Sequence, residues 1–380
     1  MKICEQGYCI ECGVCAAVCP VQCITWREDP WGERTPFINS EQCIGCGLCA
    51  NRCPAAKMPR AMRPQEVYAA YSLDLEERRR CSSGGAATVF ARRMVSSGGA
   101  VFGASFERDG QVSHRCVTDE EGIEALQGSK YVRSDLGDSY HRIHKKLMRG
   151  QEVLFIGAPC QVDGLYAYLE NDFERLTTMD FVCHGAPAPR YFREHLQCLE
   201  QKAGRKSDEM AFRGEKGYCL ILSQDGQPFY EQDRSRDLYY RAFLSNLLCR
   251  DCCIRCPYAS TARVSDITVG DFWGLGEERP FLGDPDGGVS EVLINTRKGE
   301  RLLDLCKKEL YLEHRTLEEA RLGNKQLQGP PAPHPMREAF RRRYRRVGFE
   351  RAASRCLNYD WWPFSFNGKR NRKNKEGTAR

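Results

Sequence analysis

Short apolar blocks alternate with polar ones over most of the chain, and their periods predict a mixed α/β body. Residues 86–95 read as a helix that closes at Gly98-Gly99. Segments 100–106 and 111–117 read as paired strands around Asp109-Gly110, a strong hairpin signal because such turns need positive φ. Residues 138–149 read as a helix with basic side chains in its last turn, where the helix dipole favours them. From residue 150 the pattern gives a strand at 152–156, a helix at 161–170, a strand at 179–183 and a helix from 189 to about 202. That order predicts a βαβ unit in a mostly parallel sheet. Segments 217–223 and 227–231 flank Asp225-Gly226 as a second hairpin, 267–269 and 289–295 add strands, and basic helices follow.

The first sixty residues obey a different rule, set by cysteine spacing. Cys9-x-x-Cys12-x-x-Cys15-x-x-x-Cys19-Pro20 is repeated as Cys43-x-x-Cys46-x-x-Cys49-x-x-x-Cys53-Pro54, a duplicated unit whose second copy starts near Asn39. This is the spacing of bacterial two-cluster ferredoxins, in which three thiolates of one run wrap a 4Fe–4S cubane and the fourth reaches the other cluster. The expected sets are Cys9, Cys12 and Cys15 with Cys53, and Cys43, Cys46 and Cys49 with Cys19. Structural zinc is the main rival, but zinc sites use paired cysteines, not a proline-terminated triplet-plus-one given twice. Cys4 and Cys23 fall outside the pattern, and Cys23 reads as core filling. Residues 58–64, with two prolines, read as a linker.

Composition narrows the class. The 380 residues allow two or three domains, and 41% hydrophobic with 28% charged content is ordinary for a globular protein. No apolar run approaches a membrane helix, and no secretory signal is read at the start. With 22 cysteines, a reducing, cytoplasmic location is expected. The net charge of +6 is concentrated in 341–346 and in a tail over 369–375. The plain reading is a solvated helix face and a frayed end, not nucleic-acid binding. A surface for an acidic redox partner is the second reading.

A further group of thiols lies in Cys249-Arg250-Asp251-Cys252-Cys253-Ile254-Arg255-Cys256-Pro257. Neighbouring Cys252 and Cys253 point apart, so at most three of these four are expected on one cluster. Cys160 and Cys183 each follow a predicted strand, and strand ends converge on the crevice of an open α/β sheet. They are therefore better completing ligands than Cys116, Cys198, Cys219, Cys306 or Cys356, which read as packing residues. Zinc or simple burial stays open for this group.

At these residues the chain resembles the coenzyme F420 hydrogenase/dehydrogenase beta-subunit family, in a bacterial form fused to a ferredoxin module. The resemblance rests on ordered segments: Ser82-Ser83-Gly84-Gly85, Gly128-Ser129-Lys130-Tyr131-Val132, and Phe155-Ile156-Gly157-Ala158-Pro159-Cys160-Gln161-Val162. Phe181-Val182-Cys183-His184-Gly185-Ala186-Pro187, Cys253-Ile254-Arg255-Cys256 and the run 265–274 complete it, over roughly residues 1–300. It implies an iron–sulfur flavoprotein oxidoreductase that passes electrons between clusters, FAD and a two-electron acceptor. It also implies a third 4Fe–4S cluster on Cys160, Cys183, Cys253 and Cys256, with Cys249 and Cys252 extra.

A flavin is the natural junction between one-electron clusters and two-electron substrates. There is no Gly-x-Gly-x-x-Gly fingerprint. The best phosphate cradle is Ser82, Ser83, Gly84 and Gly85 ahead of a helix, with an ordinary serine N-cap as the plain alternative. Lys130 is a candidate phosphate or flavin partner, against a merely solvated lysine. Asp271 is a candidate for a ribose or ring nitrogen, beside Trp273 as a stacking ring or core aromatic; His184 is a candidate proton donor.

The expected architecture is a two-cluster ferredoxin domain over 1–60 followed by an α/β flavin-binding body with a mixed sheet. That body divides into 61–150 and 151–340, ahead of a basic helix and tail over 341–380. The expected cofactors are two 4Fe–4S clusters, a third, and FAD, with a redox protein as partner. The alternative function is a ferredoxin-like carrier subunit that wires another enzyme and has no substrate site of its own.

Overall fold

The computed structural model describes residues 3–5, 7–214 and 217–358. The basic stretch over 369–375 lies outside the described residues. The ferredoxin-like module has one strand pair, β1 (Ile24–Glu28) and β2 (Arg34–Ile38), and two short helices, Val14–Ala17 and Leu48–Asn51. Each helix starts behind a left-handed glycine, Gly13 or Gly47, which turns the thiol loop sharply into the helix. Cysteines fill its core: Cys15, Cys23, Cys49 and Cys53 are buried with Ile3 and Ile24.

The body is built on one eight-stranded sheet. Its members are β3 (Glu66–Ser72), β4 (Ala100–Phe106), β5 (Val112–Val117), β6 (Val153–Ile156), β7 (Leu176–Phe181), β11 (Ile267–Asp271), β12 (Ser290–Ile294) and β13 (Leu310–His314). Their order across the sheet is β13-β3-β12-β11-β7-β6-β4-β5. The four central strands, β11, β7, β6 and β4, run parallel, and antiparallel strands close both sides. The sheet draws strands from both 61–150 and 151–340. A central parallel strand is buried on both faces, which is why Val153, Leu154 and Phe155 form an unbroken apolar run at 0% exposure.

Helix Ala86–Ser96 packs on one face with Ile294, Leu302 and Leu303. Helices Ser139–Met148 and Pro159–Leu169 cover the other with Ile143, Val162 and Leu165. A third core joins helices Pro189–Ala203, Leu238–Leu244 and Arg337–Leu357 to a small sheet of β8 (Glu209–Ala211), β9 (Cys219–Gln224) and β10 (Gln227–Asp233).

Both hairpins form where expected, with Gly110 and the Asp225-Gly226 pair at positive φ. Three features differ from expectation. Strand β7 begins at Leu176, not 179: Thr178 is fully buried, and its N–H and hydroxyl bond Asp266 at 2.7 and 2.9 Å, so polar side chains sit inside the sheet with partners. Strands β3 and β13 form where the apolar pattern predicts none. The 341–346 run is not a plain solvated face, because Arg341 is buried and pairs with Glu33 at 2.6 Å and Asp251 at 3.2 Å.

That arginine belongs to a seam between the ferredoxin module and the body. Arg250 reaches Glu11 at 3.1 Å, Arg34 joins Glu11 at 2.6 Å and Asp135 at 2.8 Å, and Arg255 donates to the Gly7 carbonyl at 2.9 Å. The 58–64 stretch is held by a bridge between Met62 and Arg263.

Candidate functional site

Several of the eight ferredoxin thiols stand near one another. Cys9, Cys15 and Cys53 are the thiol neighbours that act on Cys12, whereas Cys46 and Cys19 act on Cys49. The fourth cysteine of each run thus stands with the other run's triplet. Cys23 packs against Cys19 at 3.5 Å, and Cys4 bonds both Cys9 and Cys53. Among the described residues no three His, Cys, Asp or Glu side chains stand close enough to hold one metal ion. Burial pushes the Cys15 thiol up to about 12, a penalty that bonding to a metal would relieve.

The body's thiols gather at the carboxyl ends of β6 and β7. Cys160 lies in the first turn of the helix after β6, and Cys183 two residues past β7. Cys160 and Cys256 are both thiol neighbours of Cys183. Burial pushes Cys183 and Cys256 each up to about 12. Gly185, at φ +98, lies beside this loop: a Cβ there would stand 3.8 Å from the Cys253 sulfur and 3.5 Å from that of Cys249, both ordinary contacts. Cys252 lies 4.0 Å from Cys253. The loop 249–257 therefore faces Cys183, while Gly164, one turn beyond Cys160, packs on Cys12 of the ferredoxin module.

Cys183 also lines a cavity of about 360 Å³ at the same strand ends. Ser82, Ser83, Gly85, Lys130 and Asp271 share its wall, with His184 and Trp273. The cradle has no serine cap: the N-cap of helix Ala86–Ser96 is Gly85, in the left-handed region. Ser82 accepts from the Ser129 N–H at 2.6 Å and Ser83 donates to the Val289 carbonyl at 3.0 Å, while Ala86, Ala87 and Thr88 of the helix's first turn line the cavity. Gly84 is not in the wall. It permits close packing, since a Cβ would lie 2.4 Å from the Ala70 carbonyl oxygen.

Lys130 is neither solvated nor aimed at an anion. Its ammonium donates to the Leu126 and Gln127 carbonyls at 2.9 and 2.6 Å, capping the helix Glu120–Leu126, and burial draws it down to about 7. Asp271 accepts from Arg213 and, at 2.8 Å, from the Tyr218 hydroxyl. Trp273 stacks on Tyr218 with ring centres 5.9 Å apart.

Sequence reasoning missed three wall residues: His114, Arg133 and Arg213. Each has a buried ring or guanidinium nitrogen without a hydrogen-bond partner among the described residues: His114 Nδ1, Arg133 Nε and Arg213 Nε. Burial holds His114 down at about 4, so it is neutral near pH 7. Unmet buried donors and acceptors in one wall are the signature of a polar ligand site.

Residues 150–320 match the family model for the C terminus of the coenzyme F420 hydrogenase/dehydrogenase beta subunit, and residues 8–57 match the 4Fe-4S dicluster domain. Residues 150–320 thus carry a domain of this beta-subunit family. With that domain and a dicluster module it is an iron–sulfur protein resembling the F420 hydrogenase beta subunit. A chain of the F420-reducing NiFe hydrogenase complex from Methanosarcina barkeri is similar at 16% identity over 70% of this chain and 91% of its own, with a TM-score of 0.47. No curated protein matches. Among the described residues no helix is long and apolar enough to cross a membrane.

Proposed function

We propose that the chain is an iron–sulfur flavoprotein oxidoreductase that joins one-electron carriers to a two-electron acceptor. Cys9, Cys12, Cys15 and Cys53 hold one 4Fe–4S cluster, and Cys43, Cys46, Cys49 and Cys19 the second. Cys160, Cys183, Cys253 and Cys256 hold a third, and the body is flavin-binding, with FAD in the cavity. Clusters supply single electrons, and a flavin supplies the exchange between single electrons and pairs.

The observation that carries the reading is shared ownership of one wall: Cys183 lines the cavity that also holds Ser82, Ser83 and Gly85. Around the ligand, the Ala86–Ser96 helix N-terminus receives phosphate, and the Arg213–Asp271 pair anchors a polar edge. His114 Nδ1, neutral and unpartnered, accepts a hydrogen bond. A redox protein partner meets the 43–49 loop, where Cys46 is exposed and Ile44 is 64% exposed. The thiol count favours the cytoplasm.

Anaerobic purification with iron, sulfide and flavin counted per chain tests this. The expected result is about twelve irons and one FAD, with Cys253→Ala losing about four irons and keeping the flavin. About eight irons without flavin would assign the chain to electron carriage alone. Zinc in place of iron would refute the reading entirely.

A further inference from the structure

One residue meets the first thiol loop, Cys160 and the cavity together. Arg133 is 3% exposed. Its Nη2 donates to the Ile10 and Glu11 carbonyls at 2.9 and 2.7 Å, inside the loop between Cys9 and Cys12. Its Nη1 lies 3.5 Å from the Cys160 sulfur. Its backbone N–H donates to the Pro187 carbonyl at 3.0 Å, fixing the loop that follows Cys183. It also lines the cavity, with Nε unpartnered.

A buried guanidinium stays charged and requires an anion. Among the described residues no carboxylate stands at ion-pair distance from Arg133. Glu11, whose carbonyl it holds, gives its carboxylate to Arg34 and Arg250. Of the groups that act on its charge, the Cys160 sulfur comes first, at 3.5 Å, and the Glu11 carboxylate second. A cluster with four thiolates is anionic and gains one more negative charge on one-electron reduction. A fixed cation and an N–H···S bond at one ligand favour that reduced state, and such bonds and charges set cluster potentials.

We propose that Arg133 is a positioning residue that ties the first-cluster loop to the third cysteine set and raises the potential of the centre held by Cys160. This rests on the assignment of Cys160, Cys183, Cys253 and Cys256 as cluster ligands. A simple strut would need the bonds to Ile10 and Glu11 but not the charge beside sulfur.

The test is an EPR-monitored redox titration of the anaerobic holoprotein, native, Arg133→Lys and Arg133→Met, with iron counted in each. The third centre is identified as the signal missing in Cys253→Ala. In Arg133→Met its one-electron equilibrium shifts toward the oxidised form by about tenfold, a fall of about 59 mV. Arg133→Lys shifts it less, and the centre of Cys43, Cys46, Cys49 and Cys19 stays put. An unmoved third midpoint at full iron content overturns the proposal, as does an equal shift of all centres. If Arg133→Met loses iron, Arg133→Lys decides on the same criterion. A native protein with about eight irons would instead sink the ligand assignment itself.

Discussion

Replacing Glu291 by glutamine makes the protein more stable above neutral pH and leaves it nearly unchanged in acid. Glu291 sits on β12, opposite Gly270 of β11, with no exposed surface. Its Oε2 accepts from the Asn324 amide at 2.5 Å, and that amide also reaches the Asp271 carbonyl at 3.0 Å. Its Oε1 has no partner among the described residues. Burial therefore pushes the carboxyl from an ordinary 4.5 up to about 8. Between those values the folded state holds a proton that the unfolded chain has released, so stability falls as pH rises. Each pH unit is worth about 1.4 kcal/mol, less as the folded carboxyl itself ionises, hence about 2 kcal/mol between pH 6 and pH 8. Glutamine keeps the Asn324 bond and carries no charge. Other groups titrate alike in both proteins and cancel in the difference. Anaerobic thermal melting of the two holoproteins from pH 6 to 8.5 measures it, with a gap that widens by several degrees toward pH 8. A gap independent of pH, or one that narrows, would refute the account of a neutral carboxyl under Asp271.

Two further changes probe the frame. His195, 2% exposed, bonds Asp237 at 2.8 Å and Glu350 at 2.5 Å, and despite a desolvation penalty these acids raise it from 6.5 to about 9. Its contribution is complete below about 6.5 and lost as pH passes about 9, so His195→Gln costs about 3 kcal/mol at pH 6 and little at pH 9.5, read by the same melts. Gly84→Ala forces a Cβ to within 2.4 Å of the Ala70 carbonyl oxygen and 2.7 Å of the Ser290 nitrogen. The expected outcome is a loss of about 2–4 kcal/mol and a flavin occupancy that falls with it, measured by melting and by flavin absorbance per chain.

Turn chemistry and cysteine spacing were legible because each depends on a few neighbouring residues. Asp109-Gly110 and Asp225-Gly226 demand positive φ, and the thiol runs carry their own register. Strand β3 was hidden because Ala69 and Ala70 give no β-branched signal, although both are fully buried between β12 and β13. The start of β7 was hidden by threonines, of which Thr178 has its partner, Asp266, 88 residues away. The cavity arginines were illegible for the same reason. Arg133 meets Glu11 across 122 residues and Arg213 meets Asp271 across 58, so only the fold reveals what they serve.

The seam between module and body has a consequence for timing. A carrier on a loose tether delivers electrons at the pace of its own tumbling, and thickening the solvent slows it. Here Glu11, Glu33 and Asp251 are clamped by Arg34, Arg250, Arg337 and Arg341, and Met62 is stitched to Arg263. On the proposed reading, passage across this joint is governed by a packed, constant gap and is indifferent to viscosity.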